Sequence, residues 1–363
     1  MQTSNRPRWE LALRILPIVA AGAFAWSWLS APSDPMLIAL GFLLVASVFA
    51  AVHHAEIVAA RVGEPFGSLV LAVAVTVVEV GMIVALMLDS PESTQGLARE
   101  TVFSALMIIC NGIVGLSLLV KSLKRFEAVF TPEGVSGALA AIAVLATLAL
   151  VLPSVTSSAP GQSFTPFQLG FTAIASLTLY LVFVFVQAVR HRDYFLPPGL
   201  AASADAHVER PSRRSAFTSL VLLVVALVGV VGLAKETSPV VKHLIVGAGL
   251  PSSLVAVSIA LVVLLPESIA ALRAATVGRS QTSLNLAYGS AMASIGLTIP
   301  VIATLSLMWG FHLDLGLRPS EITLLALTIV VSVLTVIPGK ASILQGAIHL
   351  SILAAFLTFV IQP

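Results

Sequence analysis

Residues 66–89 read FGSLVLAVAVTVVEVGMIVALMLD, and residues 251–275 read PSSLVAVSIALVVLLPESIAALRAA. Both place Ser-Leu-Val early, continue as an apolar run and carry a single glutamate, Glu79 in the first and Glu267 in the second. A helix needs about 20 apolar residues to cross the roughly 30 Å hydrocarbon layer of a bilayer, and both stretches meet that length. Glu79 lies 13 residues into its stretch, about 20 Å along a helix axis, near the bilayer midplane. An acidic group there costs about 2.5–3.5 kcal/mol on insertion scales, so it faces a protein interior or a wet cavity and marks an ion or proton path. A structural carboxylate paired with a neighbouring helix is the plainer reading for either glutamate alone.

Working outward, nine more apolar stretches accompany these two, giving eleven predicted spans near 11–31, 36–60, 66–89, 100–120, 135–152, 166–189, 216–234, 251–273, 284–310, 319–337 and 341–361. The chain is 58% hydrophobic and 10% charged over 363 residues, more apolar surface than one soluble core of this size could hide. Continuous apolar runs exclude a barrel, whose strands would alternate. No basic, aromatic-interleaved surface suggests nucleic acid. The one cysteine, Cys110, excludes an internal disulfide and reads as a small packed hydrophobe. The first span is kept as a helix rather than a signal peptide, because no small-x-small cleavage site follows it.

Lysines and arginines collect on the cytoplasmic side of membrane proteins. An N-terminus inside leaves only Arg99, Lys235, Lys242 and Arg318 outside, with the other 15 of the 19 basic residues inside. The C-terminus is then outside. The longest internal polar stretch, 190–215, has the Pro, Ala, Ser and Arg content of a solvated linker. It divides the chain into an extra N-terminal helix (1–35), a first five-helix repeat (36–189), the cytoplasmic linker (190–215) and a second five-helix repeat (216–363). The Glu79 helix and the Glu267 helix are five spans apart and so run in opposite directions. The predicted fold is an all-α polytopic membrane protein with two inverted repeats. The spans after the glutamate helices also correspond, IICNGIVGLSLL (108–119) against SAMASIGLTIP (290–300), through a shared Gly-Leu-Ser/Thr step.

Transporters built from inverted repeats place their substrate site near the pseudo-two-fold axis. Two carboxylates meeting in a dry centre repel and hold protons more tightly, and a cation entering the pair stabilises their charged forms. Protons and cation would compete for one site. Hard cations want six to eight oxygens, so further groups must line it. Pro266 removes the amide that would bond the Val262 carbonyl, freeing an acceptor one turn from Glu267; a plain proline kink is the alternative. Thr76 is one turn before Glu79, although threonine in a membrane helix often bonds back to its own backbone. Asn111 and Ser294, at matching repeat positions, are candidate ligands or helix-packing groups, and Ser290 lies one turn before Ser294. His53, His54 and Glu56 form HHAE near the cytoplasmic end of the second span, a candidate for proton entry or gating, or simple interface polarity. His243 and His349 are isolated and read as satisfied packing groups. Glu64, between Gly63 and Pro65, reads as a cap for the Glu79 helix.

The stretches HHAEIVAARVGEPFGSLVLAVAVTVVEV (53–80), LVVLLPESIAALRAA (261–275) and YGSAMASIGLTIP (288–300) resemble the cation/Ca²⁺ exchanger superfamily and, within it, the bacterial ChaA-type antiporters. That resemblance covers the ten-helix body. It implies that Glu79 and Glu267 are the paired glutamates that bind the cation and exchange it for protons, and that Asn111 and Ser290 lie on the helices that complete the site. The cargo would be Ca²⁺, Na⁺ or K⁺ and H⁺, the location a bacterial cytoplasmic (inner) membrane. Val77-Val78 and Leu265-Pro266 precede the glutamates here, where relatives commonly have Gly-Asn or Gly-Thr/Ser, so fewer side-chain oxygens are on offer. The linker is mixed in charge rather than acidic, and no cation-sensing role is assigned to it. No cofactor motif is present, and no signal of oligomeric state. A transporter of an organic or anionic substrate would want basic residues in its core, and no span holds a central Lys or Arg. A membrane-embedded enzyme would want a nucleophile or metal constellation, which the scattered histidines do not form. A passive cation channel would carry the same carboxylates without coupling to a pH gradient.

Overall fold

The structure is a computed structural model, and it describes residues 8–30, 32–63, 66–89, 95–195 and 211–362. Most of the 190–215 linker, and Glu64, lie outside the described residues. Eleven helices are long and apolar enough to cross a membrane. They are α1 (Arg8–Leu29), α2 (Asp34–Val62), α3 (Phe66–Asp89), α4 (Leu97–Arg125), α5 (Pro132–Val155), α6 (Pro166–Arg190), α7 (Arg213–Gly247), α8 (Leu254–Thr276), α9 (Ser280–Trp309), α10 (Pro319–Val336) and α11 (Ile343–Ile361). The chain is an all-α polytopic membrane protein, an N-terminal helix followed by two five-helix repeats, α2 to α6 and α7 to α11. The eleven expected spans appear in order. The largest difference is α7, whose 35 residues reach about 52 Å at 1.5 Å per residue, where the hydropathy predicted an end at 234. Polar residues such as Lys235 and Glu236 end a hydrophobic run without ending a helix. The helix stops only near Gly249, whose φ of 73° takes the left-handed turn that glycine alone adopts without strain.

The helices gather into two compact units, one of α1, α2, α3 and α7, the other of the remaining seven. In the first unit two glycine contacts and one polar contact help to seat α1. Gly229 on α7 lets it approach closely, since a Cβ there would stand 2.8 Å from Ala20 Cβ and 3.0 Å from the Ala21 amide nitrogen. Gly232, one turn on, faces the Phe24 ring in the same way. Small residues at such faces let helices pack where lipid supplies no hydrophobic drive. The third contact is polar. Pro17 has no amide to offer the Leu13 carbonyl four residues earlier, and the His54 ring on α2 donates to that freed carbonyl from Nε2 at 3.1 Å.

Inside the second unit the repeat is visible in matched devices. The last helix of each repeat opens on the same capping box, Thr165 with Gln168 before α6 and Ser342 with Gln345 before α11, in which side chain and backbone satisfy each other's orphan groups. The glycines of the shared Gly-Leu-Ser/Thr step also match. Gly115 on α4 packs on α11, and Gly296 on α9 packs on α6, where a Cβ would stand 2.8 Å from Tyr180 Cβ. At the first crossing the approach is backbone to backbone, because a Cβ on Gly346 would meet the Leu119 amide nitrogen at 2.8 Å and the Gly115 carbonyl at 3.0 Å. Gly346→Leu is therefore expected to destabilise the protein by about 1–3 kcal/mol, the range for overpacking, read as a lower unfolding midpoint in detergent. An unchanged midpoint would show that the crossing is loose.

Two loops are tied where the sequence carried no strand signal. Ala128–Val129 and Lys340–Ala341 pair as a short antiparallel ribbon, with an exposed Lys340–Glu127 ion pair at 3.1 Å. At the start of α4, buried Arg99 donates from Nη1 to Gln162 Oε1 at 2.9 Å and to the Gly316 carbonyl at 3.0 Å, clasping two loops to the helix.

Candidate ion site

Glu79 is 3% exposed on α3, deep in the first unit. Thr76, three residues earlier on the same face, is 5% exposed. Its hydroxyl does not bond back to the helix and has no hydrogen-bond partner among the described residues. A buried polar atom in that condition costs about 1–3 kcal/mol, so it is poised to take a partner beside the carboxylate. His54 is also buried, whereas Glu56 is exposed. The HHAE stretch is thus split: His54 docks α1, His53 meets the Trp9 ring edge-on at 6.1 Å between centroids, and Glu56 faces outward.

The second unit holds the other candidates. Glu267 is partly buried on α8, immediately after buried Pro266. The helix runs unbroken through the proline. The proline still leaves the Val262 carbonyl without its amide partner. An irregular turn appears in α4, against which α8 packs: Ile108–Ile113 is π-helical and contains Asn111. Such widened turns weaken the regular backbone ladder and recur at functional sites. Ser290 is partly buried and Ser294 buried on α9. Counting back from the paired glycines, Asn111 falls opposite Met292, two residues from Ser294, so the glycine register and the proposed match differ by that offset.

Asn111 is fully buried, and both ends of its amide are engaged. Nδ2 donates to Thr328 Oγ1 on α10 at 2.9 Å. Oδ1 accepts from His349 Nδ1 on α11 at 3.2 Å. Since the amide oxygen cannot donate, the histidine carries its proton on Nδ1, and Nε2 accepts from the Thr335 hydroxyl at 3.2 Å. Asn111 keeps one oxygen lone pair for another partner. Reading the sequence found His349 but not its partner, 238 residues away. Thr328, Ser332 and Thr335, at helical spacing on α10, are the sequence signal of a polar face there. Cys110, beside Asn111, is buried as a small hydrophobe. Among the described residues no group of three or more His, Cys, Asp or Glu side chains is placed to hold a metal.

The proteins this chain is related to are transporters and exchangers, not enzymes. The model of the sodium/calcium exchanger protein family matches residues 35–189 and 218–362, and the chain belongs to that family. It is 43% identical over 357 residues to a putative ionic transporter, y4hA, of Sinorhizobium fredii, covering 98% of this chain and 97% of the relative. It is 31% identical over 362 residues to the sodium-potassium/proton antiporter ChaA of Escherichia coli, covering 98% of each. Among solved structures, native YfkE has a TM-score of 0.73 at 15% identity, over 97% of this chain and 100% of that one. The H⁺/Ca²⁺ exchanger CAX has a TM-score of 0.72 at 16% identity, over 96% of this chain and 87% of that one. At those identities the structural likeness speaks for the fold.

Proposed function

We propose that this protein is a secondary antiporter that exports Ca²⁺, Na⁺ or K⁺ in exchange for H⁺, with Glu79 and Glu267 as the shared cation and proton site. The observation that carries the reading is the fully buried Glu79 at the middle of its span, with the unsatisfied Thr76 hydroxyl one turn away. A carboxylate so placed is costly in lipid and marks an ion or proton pathway. The relative that is a sodium-potassium/proton antiporter favours monovalent cations beside Ca²⁺. So does the greasy approach to each glutamate, which offers few of the six to eight oxygens that Ca²⁺ takes. Thr76, the Val262 carbonyl freed by Pro266, Asn111, Ser290 and Ser294 are the groups that line the path in this reading. The protein works in a bacterial cytoplasmic membrane with its N-terminus inside, the orientation that the basic residues favour.

The cycle is alternating access, in which the glutamates are neutralised by either cation or protons before the site is re-exposed, since moving bare carboxylates through lipid depth is costly. The test is made in everted vesicles holding an acid-inside proton gradient. Adding Ca²⁺, Na⁺ or K⁺ is expected to collapse the gradient in proportion to cation uptake. Cation uptake at the same rate with no gradient and no proton movement would identify a passive channel and end the antiporter reading.

A further inference from the structure

We propose that α1 and α7 together form a binding site for the phosphodiester headgroup of an anionic phospholipid. α1 lies outside the residues matched by the family model, which begin at 35, yet it is held in place by two glycine seats and the His54 bond. Its docking creates a cavity of about 300 Å³ with the first turns of α7. The lining is Arg14 from α1 with Ser212, Arg214, Ser215, Thr218, Ser219 and Leu222 from around the start of α7.

The chemistry of this lining selects an anion. Neither arginine forms an ion pair among the described residues, Glu10 one turn before Arg14 included. Among the described residues no carboxylate lines the cavity. α7 begins here, with the Ser212 hydroxyl accepting from the Ser215 amide. The amides of Arg213 and Arg214 have no acceptor within the helix and carry the positive end of its dipole. An independent observation points to a ligand: Ser219 is only 4% exposed, lines the cavity and makes no hydrogen bond among the described residues. Two guanidinium groups, unpaired amides and a buried hydroxyl are the donors a phosphate oxygen set requires.

A lipid fits better than a free phosphate because of what lies along the same two helices. Leu11, Ile15 and Ile18 of α1 and Phe217, Val221 and Val224 of α7 are all exposed apolar side chains. They offer acyl chains a surface continuous with the headgroup site. Basic pockets between membrane helices bind anionic headgroups by this combination.

The full-length protein would be purified in neutral detergent and titrated by native mass spectrometry with phosphatidylglycerol and, in parallel, phosphatidylcholine. Preferential retention of phosphatidylglycerol is expected, weakened about fivefold by each of Arg14→Gln and Arg214→Gln, near the contribution of one basic residue at a membrane surface. A photoreactive phosphatidylglycerol checks the place independently of variant folding, with labels expected on α1 near Arg14 and on α7 near Thr218. Equal retention of both lipids, unchanged binding in the double variant, or labelling confined to other helices would overturn the proposal. Competition by millimolar inorganic phosphate as effective as that by added lipid would make the occupant a soluble anion and overturn it too.

Discussion

Glu267→Gln is expected to lower cation-coupled proton movement by about two to three orders of magnitude while leaving the protein folded. Two unit charges 4 Å apart attract by about 4 kcal/mol at an effective dielectric constant of 20, and every 1.4 kcal/mol is about tenfold in affinity. The amide keeps the volume of the carboxyl group, cannot release or take a proton near neutral pH, and no longer offsets a cation. Stability is expected to hold or rise, because a charge is removed from a span where it costs about 2.5–3.5 kcal/mol. Glu79→Gln should behave alike, the more so because Glu79 is the more deeply buried of the two. The checks are the gradient assay above and an unfolding midpoint in detergent. Cation-induced collapse that survives either substitution in a folded variant would remove the glutamates from the mechanism.

The second large effect is expected at Asn111. Asn111→Leu keeps the γ-branched shape but strips the partner from His349 Nδ1 and leaves Thr328 without its amide donor. Each buried polar group so orphaned costs about 1–3 kcal/mol, giving a loss of about 2–6 kcal/mol in stability. His349→Leu is expected to cost a similar amount, since it orphans the other side of the same bond. The double variant should lose less than the sum by about 1 kcal/mol or more, because residues in one hydrogen-bonded chain are coupled. Unfolding of the four proteins closes this cycle, and strict additivity would mean that the bond seen at 3.2 Å contributes nothing. A transport defect in Asn111→Leu beyond the loss of folded protein would speak for the ligand role, and a purely structural loss for the positioning one.

The positions of the eleven spans were legible because the bilayer imposes its condition on each helix separately: a run of apolar residues of sufficient length, with its backbone bonds closed internally. α7 shows the limit of that signal. Hydropathy reports where lipid ends, and the helix itself continues past Lys235 and through Pro239 to end near Gly249. The glycine of the Gly-Leu-Ser/Thr step was visible as a repeated letter. Its purpose, a close crossing of each repeat's helix with the last helix of the other repeat, was not.

By itself, then, the amino-acid order determined the class of the molecule, the number of its spans, the repeat, and the two carboxylates that lipid would not tolerate without compensation. These follow from local pattern and from the energy of a charge at membrane depth, which depend on one helix at a time. Only the tertiary structure decided which polar groups meet. Asn111 reaches Thr328 and His349, the Leu13 carbonyl freed by Pro17 reaches His54, and Arg14 shares a cavity with the start of α7. Each pairing joins different helices, from 41 to 238 residues apart for the hydrogen bonds, and hydrogen-bond geometry is satisfied within a few tenths of an ångström. Neither composition nor periodicity carries information at that distance along the chain or at that resolution in space.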